Sequence, residues 1–284
     1  MKIFKSPLRY PGGKSRAIPQ IMARLPVAYN ELREPFVGGG SVFIHIRQVR
    51  PHVKVWINDL NFDLYCFWKE AQKDVDRLAA AVLQIKETEL DGKALFERMR
   101  EVNPPATSDF ARAVRFFVMN RISFSGTVDS GGYSQQAFHS RFTLSSIDRL
   151  MPLKQILDGV KITNLDYKET LNGTGNETLI FLDPPYLVAT KSKLYGKNGD
   201  LHTGFNHCEF AKEMSECPHK WLITYDDSLE IRENFHFSHI HEWELQYGMN
   251  NYKQGKAEIG HELFLCNFIS ASSPVLPAAL NFGI

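Results

Sequence analysis

Residues 178–186 read TLIFLDPPY. A run of apolar, β-prone residues ends abruptly on a carboxylate, two prolines and a tyrosine. The run predicts a buried strand. A proline biases the residue before it toward extended backbone and fixes its own φ. Asp183 and the Pro184 carbonyl are therefore held as two rigid acceptors at the carboxyl end of that strand. In open α/β sheets this is the end where ligands bind. Tyr186 adds a flat ring beside them. Two acceptors and a stacking face suit a planar aromatic amine, and the exocyclic amino group of a nucleobase fits that description. The plainer alternative is a proline-terminated strand whose aspartate caps the turn.

Working outward, strands alternate with helices. A glycine-rich loop at 10–14 precedes a helix-like stretch from Ser15 to about Leu25. A short strand runs into Glu34-Pro35-Phe36, glycines 38–40 open a helix SVFIHIRQ, and VKVWIND (53–59) is a strand by its alternation. After the span 64–157 the pattern resumes with VKITNLD (160–166), TLIFLD and KWLITYDD (220–227). HIHEWELQY and GHELFLCNF then read as a closing antiparallel hairpin. Such alternation predicts an α/β fold with a mostly parallel sheet covered by helices on both faces. Residues 64–157 are mostly helical, broken by FSGTVDSGGYSQ, and read as an insertion. The expected division is 1–63 with 158–270, an inserted domain at 64–157, and a tail at 271–284.

Composition narrows the function classes. The chain has 284 residues and an apolar share of 43%, enough for a sizeable core. Its formal net charge is +1, so binding to a polyanion must come from local patches. Cys66, Cys208, Cys217 and Cys266 are widely spaced with no C-x-x-C pair. That distribution favours a reduced cytoplasmic protein and argues against a metal cluster or a disulfide frame. The start, MKIFKSPLRYPGGKSR, has no long apolar stretch, so neither a signal peptide nor a membrane anchor is expected there.

Two glycine turns carry further signals. Gly13-Lys14-Ser15 invites a phosphate-loop reading, but Leu8 stands where that motif requires glycine, and no strong strand precedes it. The glycines still let backbone approach a ligand, and Lys14 is placed to meet a carboxylate. In Glu34-Pro35-Phe36-Val37-Gly38-Gly39-Gly40-Ser41, a strand end, a glycine turn and a helix start make a cradle for part of a nucleotide-like cofactor. About 20 residues on, the next strand ends at Asn58-Asp59. A carboxylate there suits a ribose diol, because it accepts from both hydroxyls. Asp59 as a helix cap is the competing reading.

The order RYPGGKS, EPFVGGGS, IND and DPPY resembles the amino-group DNA methyltransferases of the Dam-like D12 class (group alpha), which act on adenine N6. The resemblance implies a Rossmann-like methyltransferase fold with an inserted target-recognition domain. It also implies S-adenosylmethionine as cofactor and double-stranded DNA as partner. Tyr10, Gly12 and Lys14 would hold the methionine part of the cofactor. Phe36, Gly38 and Gly40 would line its loop, Asp59 would take the ribose, and Asp166 would lie near its adenine, with Tyr167 packing there. Asp183, Pro184 and Tyr186 would be catalytic, with Asp183 also touching the cofactor. Hydrogen bonds from the adenine amine to Asp183 and the Pro184 carbonyl would localise its lone pair for direct transfer, with no cysteine intermediate. The buried base would be flipped out onto Tyr186. Cytosine N4, RNA, or a catalytically inactive DNA-binding relative are the alternatives. A cognate restriction endonuclease is a further partner that such enzymes imply.

Recognition residues follow less directly. Asn120 to Gly126 resembles the family segment leading into a DNA-probing hairpin, but TVDSGGYSQQ departs from the pattern of GATC-specific members, so a GATC target does not follow. Arg121, Tyr133, Ser134, Gln135 and Arg141 are candidate groove contacts, since arginine and glutamine read guanine and adenine edges. Arg112, Arg115 and Arg121, with Phe116, Phe117 and Phe124 among them, are explained equally well by an amphipathic helix whose arginines are solvated. Lys191, Lys193 and Lys197, in the basic stretch after DPPY, are candidate phosphate contacts. His202 and His207 lack ligand-type spacing, and no metal site is expected.

Overall fold

The structure, a computed structural model, describes residues 3–10, 12–101, 107–128, 130–187, 204–246 and 259–269. After a 3-10 turn at Lys14–Arg16 the elements begin with α1 (Ile18–Arg24), β1 (Glu31–Glu34), α2 (Ser41–Val49), β2 (Lys54–Asn58) and α3 (Phe62–Thr88). They continue with α4 (Gly92–Glu101), α5 (Asp109–Ile122), α6 (Gln135–Arg141), α7 (Leu144–Asp148), α8 (Leu153–Ile156), β3 (Lys161–Thr163) and α9 (Tyr167–Asn172). The chain then forms β4 (Thr178–Leu182), α10 (His207–Glu216), β5 (Lys220–Asp226), α11 (Leu229–Asn234), β6 (His239–Gln246) and β7 (Ile259–Cys266). The tail expected at 271–284 lies outside the described residues.

The seven strands form one sheet in the order β3-β2-β1-β4-β5-β7-β6. The first five are parallel, and the closing hairpin adds β7 antiparallel to β5 and β6 antiparallel to β7. Strand alternation sends side chains to two different cores. Leu179 and Phe181 of β4 join the cluster that includes α1, α2, α3 and α5. Ile180 and Leu182 join the opposite cluster with Phe210 of α10 and Ile231 of α11. The β4 run is continuously apolar because both of its faces are covered. The helices at 62–156 share the first cluster with α2 and the sheet, so their apolar packing is continuous with it.

The topology creates a switch point. From β1 the chain steps outward to β2 and β3, then crosses back to β4 and β5 on the other side. The crevice at the carboxyl ends of β1 and β4 is the ligand position that this arrangement favours. Asn58, the last residue of β2, ties the neighbouring strand ends together. Its side-chain N–H donates to Pro35 O at 3.1 Å and Leu165 O at 2.9 Å. Its carbonyl accepts from Thr163 Oγ1 at 2.8 Å and Leu165 N at 2.9 Å. This network also explains why β3 is shorter than the stretch 160–166. Leu165 turns onto Asn58, and the Asn164 side chain donates to Asp59 O and Leu60 O. Asn58→Leu removes four hydrogen bonds at a buried site and leaves their partners unmatched. The expected loss is about 3 kcal/mol in urea unfolding.

Candidate active site

Asp183 leaves the end of β4 where the prolines follow. Its Oδ1 accepts from the Thr224 hydroxyl of β5 at 2.7 Å. The Lys14 ammonium reaches both carboxylate oxygens, 2.8 Å from Oδ2 and 2.7 Å from Oδ1. Lys14 Nζ also donates to Gly12 O at 2.9 Å and sits 4.9 Å from the centre of the Tyr186 ring. The lysine side chain is 5% exposed and the aspartate side chain 24%, so the pair is largely withdrawn from water while the carboxylate keeps an open edge. Tyr186 is held at its far end, where its hydroxyl donates to Glu262 Oε2 of β7 at 2.9 Å.

The turn after β1 faces this group. Gly38 and Gly40 have φ of 46° and 69°, left-handed conformations that favour glycine. A Cβ on Gly38 would lie 2.9 Å from the Tyr10 ring, and one on Gly39 would lie 2.8 Å from Tyr10 Cβ. The turn is clamped from both sides: Gly38 N donates to Asp59 Oδ2 at 2.9 Å, and Trp68 Nε1 donates to Gly38 O at 3.2 Å. Asp59 Oδ1 accepts from Asn61 N at 3.0 Å. The α3 cap itself is Asn61, whose side chain accepts from Leu64 N, so Asp59 is not that helix's capping residue. Each Asp59 oxygen accepts one N–H and keeps a lone pair for another donor. Burial pushes its carboxyl up to about 6, against the pull of the two N–H groups.

A third wall is aromatic. The Phe36 ring lies 5.5 Å from Tyr167 and 5.8 Å from Phe205, and Tyr167 lies 5.8 Å from Phe205. Asp166 is exposed at the same wall and caps α9 by accepting from Lys168 N. Together these groups line a cavity of about 1100 Å³. Every residue expected at the catalytic or cofactor site lines it: Tyr10, Gly12, Lys14, Phe36, Gly38, Gly40, Asp59, Asp166, Asp183, Pro184 and Tyr186.

Sequence reasoning missed three residues here. Thr224, within the recognised strand KWLITYDD, orients Asp183. Phe205 supplies part of the aromatic wall, and only its place before the Asn206 cap of α10 hinted at an ordered position. Glu34 ends β1 at the cavity floor, 3% exposed, with Oε1 lacking a hydrogen-bond partner. Burial drives its carboxyl well above the ordinary glutamate range; a backbone hydrogen bond from Phe43 opposes this, and the nearby Asp183 charge adds to it.

The candidate DNA contacts lie elsewhere. None of Arg121, Tyr133, Gln135 and Arg141 lines the cavity. Arg121 is only 3% exposed, with its guanidinium 5.1 Å from the centre of the Phe117 ring. A side chain so enclosed does not extend into a groove, which corrects the expectation for this residue. Its place on the last turn of the buried α5 explains the difference. Ser134 caps α6 by accepting from Ala137 N, so its hydroxyl is committed locally. Tyr133 is half-buried and donates to Gln135 Oε1 at 2.5 Å, while Gln135 and Arg141 are exposed. Arg112 and Arg115 pair with Asp63 at 2.6 and 3.0 Å as buried structural ions. Lys191, Lys193, Lys197 and His202 lie outside the described residues. His207 Nδ1 and the Tyr225 hydroxyl lie 2.5 Å apart.

A doubly covered, mostly parallel sheet with a reversed closing hairpin, and a glycine-cradled cavity at its switch point, define the class as a Rossmann-like methyltransferase. Residues 10–249 match the family model of the D12 class N6 adenine-specific DNA methyltransferases, and the chain belongs to that family. It is 26% identical over 211 residues to the type II methyltransferase M.MjaIII of Methanocaldococcus jannaschii, a match covering 66% of this chain and 71% of that protein. It is 24% identical over 255 residues to the DNA adenine methylase of Escherichia coli K12, covering 85% of this chain and 87% of that one. A third relative is the DNA N-6-adenine-methyltransferase of Escherichia phage P1, at 24% identity over 241 residues, covering 82% of this chain and 31% of that protein. The reaction is therefore methyl transfer from a methyl donor to the N6 amino group of adenine in DNA. Among the described residues no helix is long and apolar enough to cross a membrane.

The Glu34 environment has a measurable consequence. Its folded-state pKa lies well above the ordinary 4.5, so above that pH the folded protein binds more protons than the unfolded chain. Its contribution to stability therefore falls as pH rises from 4.5 toward the raised value. Glu34→Gln, whose side-chain oxygen still accepts from Phe43 N, removes this dependence. Its Tm should match the wild type at pH 4 and exceed it increasingly toward pH 8, as followed by circular dichroism.

Proposed function

We propose that the protein is a site-specific methyltransferase that uses S-adenosylmethionine and acts on an adenine extruded from double-stranded DNA. One observation carries the reading: the Asp183-Pro184-Pro185-Tyr186 strand end and the glycine turn after β1 open into the same cavity. The residues present fit the cofactor. The aromatic wall of Phe36, Tyr167 and Phe205 suits a purine, and Asp59 keeps lone pairs for a ribose diol. The glycine turn, in van der Waals contact with Tyr10, presents backbone where any larger residue would clash. Tyr10, Gly12 and Lys14 border the methionine side, with Gly38 and Gly40 in the cradle and Asp166 at the purine wall. When bound, S-adenosylmethionine supplies an electrophilic methyl carbon.

The chain's own groups prepare the nucleophile. The open edge of Asp183 and the Pro184 carbonyl accept the two N–H bonds of the adenine amine. Those hydrogen bonds draw the nitrogen out of conjugation and localise its lone pair. Thr224 and Lys14 hold the carboxylate in place, so it needs no reorganisation as charge develops on nitrogen. Tyr186, braced by Glu262, offers its ring to the flipped base. The proton lost from nitrogen passes to Asp183 or solvent after transfer.

The division into a catalytic part (1–63 and 158–270) and a target-recognition part (64–157) belongs to this reading. Tyr133 and Gln135 are then groove contacts, Arg141 contacts the DNA from the end of α6, and Lys191, Lys193 and Lys197 are phosphate contacts. The site of action is the cytoplasm, where the DNA lies, and a restriction endonuclease of matching specificity is the partner that such an activity implies. The decisive experiment incubates the protein with S-adenosylmethionine and unmethylated genomic DNA, then maps modified bases by single-molecule sequencing. N6-methyladenine at one recurring sequence supports the reading; N4-methylcytosine, or no modification of duplex DNA, overturns it.

Two substitutions test the roles assigned. Asp183→Asn keeps shape and removes the charge, and should lower kcat by roughly 10²–10³ while the protein stays folded. Asp183→Ala should also cost about 3 kcal/mol of stability, because it leaves the buried Lys14 ammonium unpaired. Asp59→Ala should weaken S-adenosylmethionine binding roughly tenfold or more in calorimetry, through the lost hydroxyl acceptors.

A further inference from the structure

Arg121 stands in the field of three further arginines, Arg9, Arg149 and Arg141. Arg121, at the end of α5, is 3% exposed, and its buried Nε has no hydrogen-bond partner. Arg9, next to the cavity-lining Tyr10, has a buried Nη1 that is equally unmatched. Arg141 at the end of α6 and Arg149 just after α7 are exposed, and with Arg9 they bear electrostatically on Arg121. Among the described residues none of the four forms a salt bridge, although Arg112 and Arg115 on the same helix as Arg121 both do. The placement is enforced by the backbone. Arg9 N donates to Asn120 Oδ1 at 3.0 Å, and Asn120 Nδ2 donates back to Arg9 O at 2.6 Å and to Gly126 O at 3.0 Å. Gly126 packs so closely that a Cβ there would lie 2.3 Å from Arg9 O.

Holding like charges together with buried donors unmatched is costly unless an anion completes the site. We propose that Arg9, Arg121, Arg141 and Arg149 form an anion site for a backbone phosphate of the DNA strand that carries the target adenine. The proposal rests on the duplex-DNA reading above and deepens it. A phosphate fits better than a base edge, for two reasons. Base reading needs a guanidinium fork that reaches into a groove, and Arg121 is enclosed. A phosphate oxygen is a compact anion that can sit at the mouth of a basic recess and be shared among several donors. The position also suits it. Arg9 adjoins the Tyr10 wall, so a phosphate gripped there anchors the strand at the rim of the cavity that the extruded base enters. Burial and the fields of Arg9, Arg149 and Arg141 lower the proton affinity of Arg121, the behaviour of a cation short of countercharge.

The test uses the exposed members, whose loss leaves the fold's buried contacts in place. Arg149→Gln, Arg141→Gln and the double variant are titrated with two duplexes across a salt series. One duplex carries the mapped target sequence and the other a scrambled one. A lost phosphate contact should reduce the slope of log affinity against log salt by about 0.9 and weaken both duplexes by the same factor. A loss confined to the target duplex would assign these residues to base reading and overturn the proposal. An unchanged slope would overturn it too, whether or not Tm falls, because the charge would then be used within the chain. Failure of the duplex-DNA reading looks different: the wild-type protein itself would show no salt-dependent binding to either duplex.

Discussion

The contact on which the site depends is the ion pair between Lys14 and Asp183, two residues far apart in the chain. The ammonium is nearly sealed from water, so its desolvation must be offset by geometry. It is offset by both carboxylate oxygens, the Gly12 carbonyl and the face of Tyr186. The N-terminal loop is thereby drawn onto the end of β4, and Asn120 pins the same loop from the other side through Arg9. Without that pair, the first glycine loop and the strand end of TLIFLDPPY would have no reason to share one cavity.

Around this pair the sheet acts as a ruler. Parallel strands put their carboxyl ends at one edge, and the reversal between β1 and β4 leaves the crevice open there. Asn58 and Asp59 then do different work from adjacent positions. Asn58 closes the gaps between strand ends, and Asp59 holds the glycine turn while leaving acceptor capacity free. Glu34 ends β1 at the same recess, where burial drives its carboxyl well above the ordinary glutamate range.

Much of the cavity was legible in the sequence because its constraints are local. Proline fixes φ wherever it stands, and glycine permits φ of 46° and 69° at Gly38 and Gly40. Strand ends announce themselves when an apolar run stops. Residues whose roles depend on neighbours remote in the chain were not legible. Thr224 looked like one more β-branched residue of a strand, and Phe205 like part of a polar loop. Arg121 was expected to face a groove because an arginine among aromatics on a helix is ambiguous between core and surface. Its last-turn position in α5 put it inside. Asp59 and Asn61 are equally good caps by residue type, and only the structure assigned the cap to Asn61.

The sequence by itself determined the order of strands and helices, the closing hairpin, and the glycine and DPPY motifs that line the cavity. Backbone preferences and periodicity act over a few neighbours, and each motif carried its own. Only the tertiary structure decided which carboxylate Lys14 meets, which cap α3 uses, and that Arg9 and Arg121 stand together with unmatched donors. Those outcomes depend on burial and on partners distant in the chain, and desolvation rewards or penalises a charge only after the fold has chosen what surrounds it.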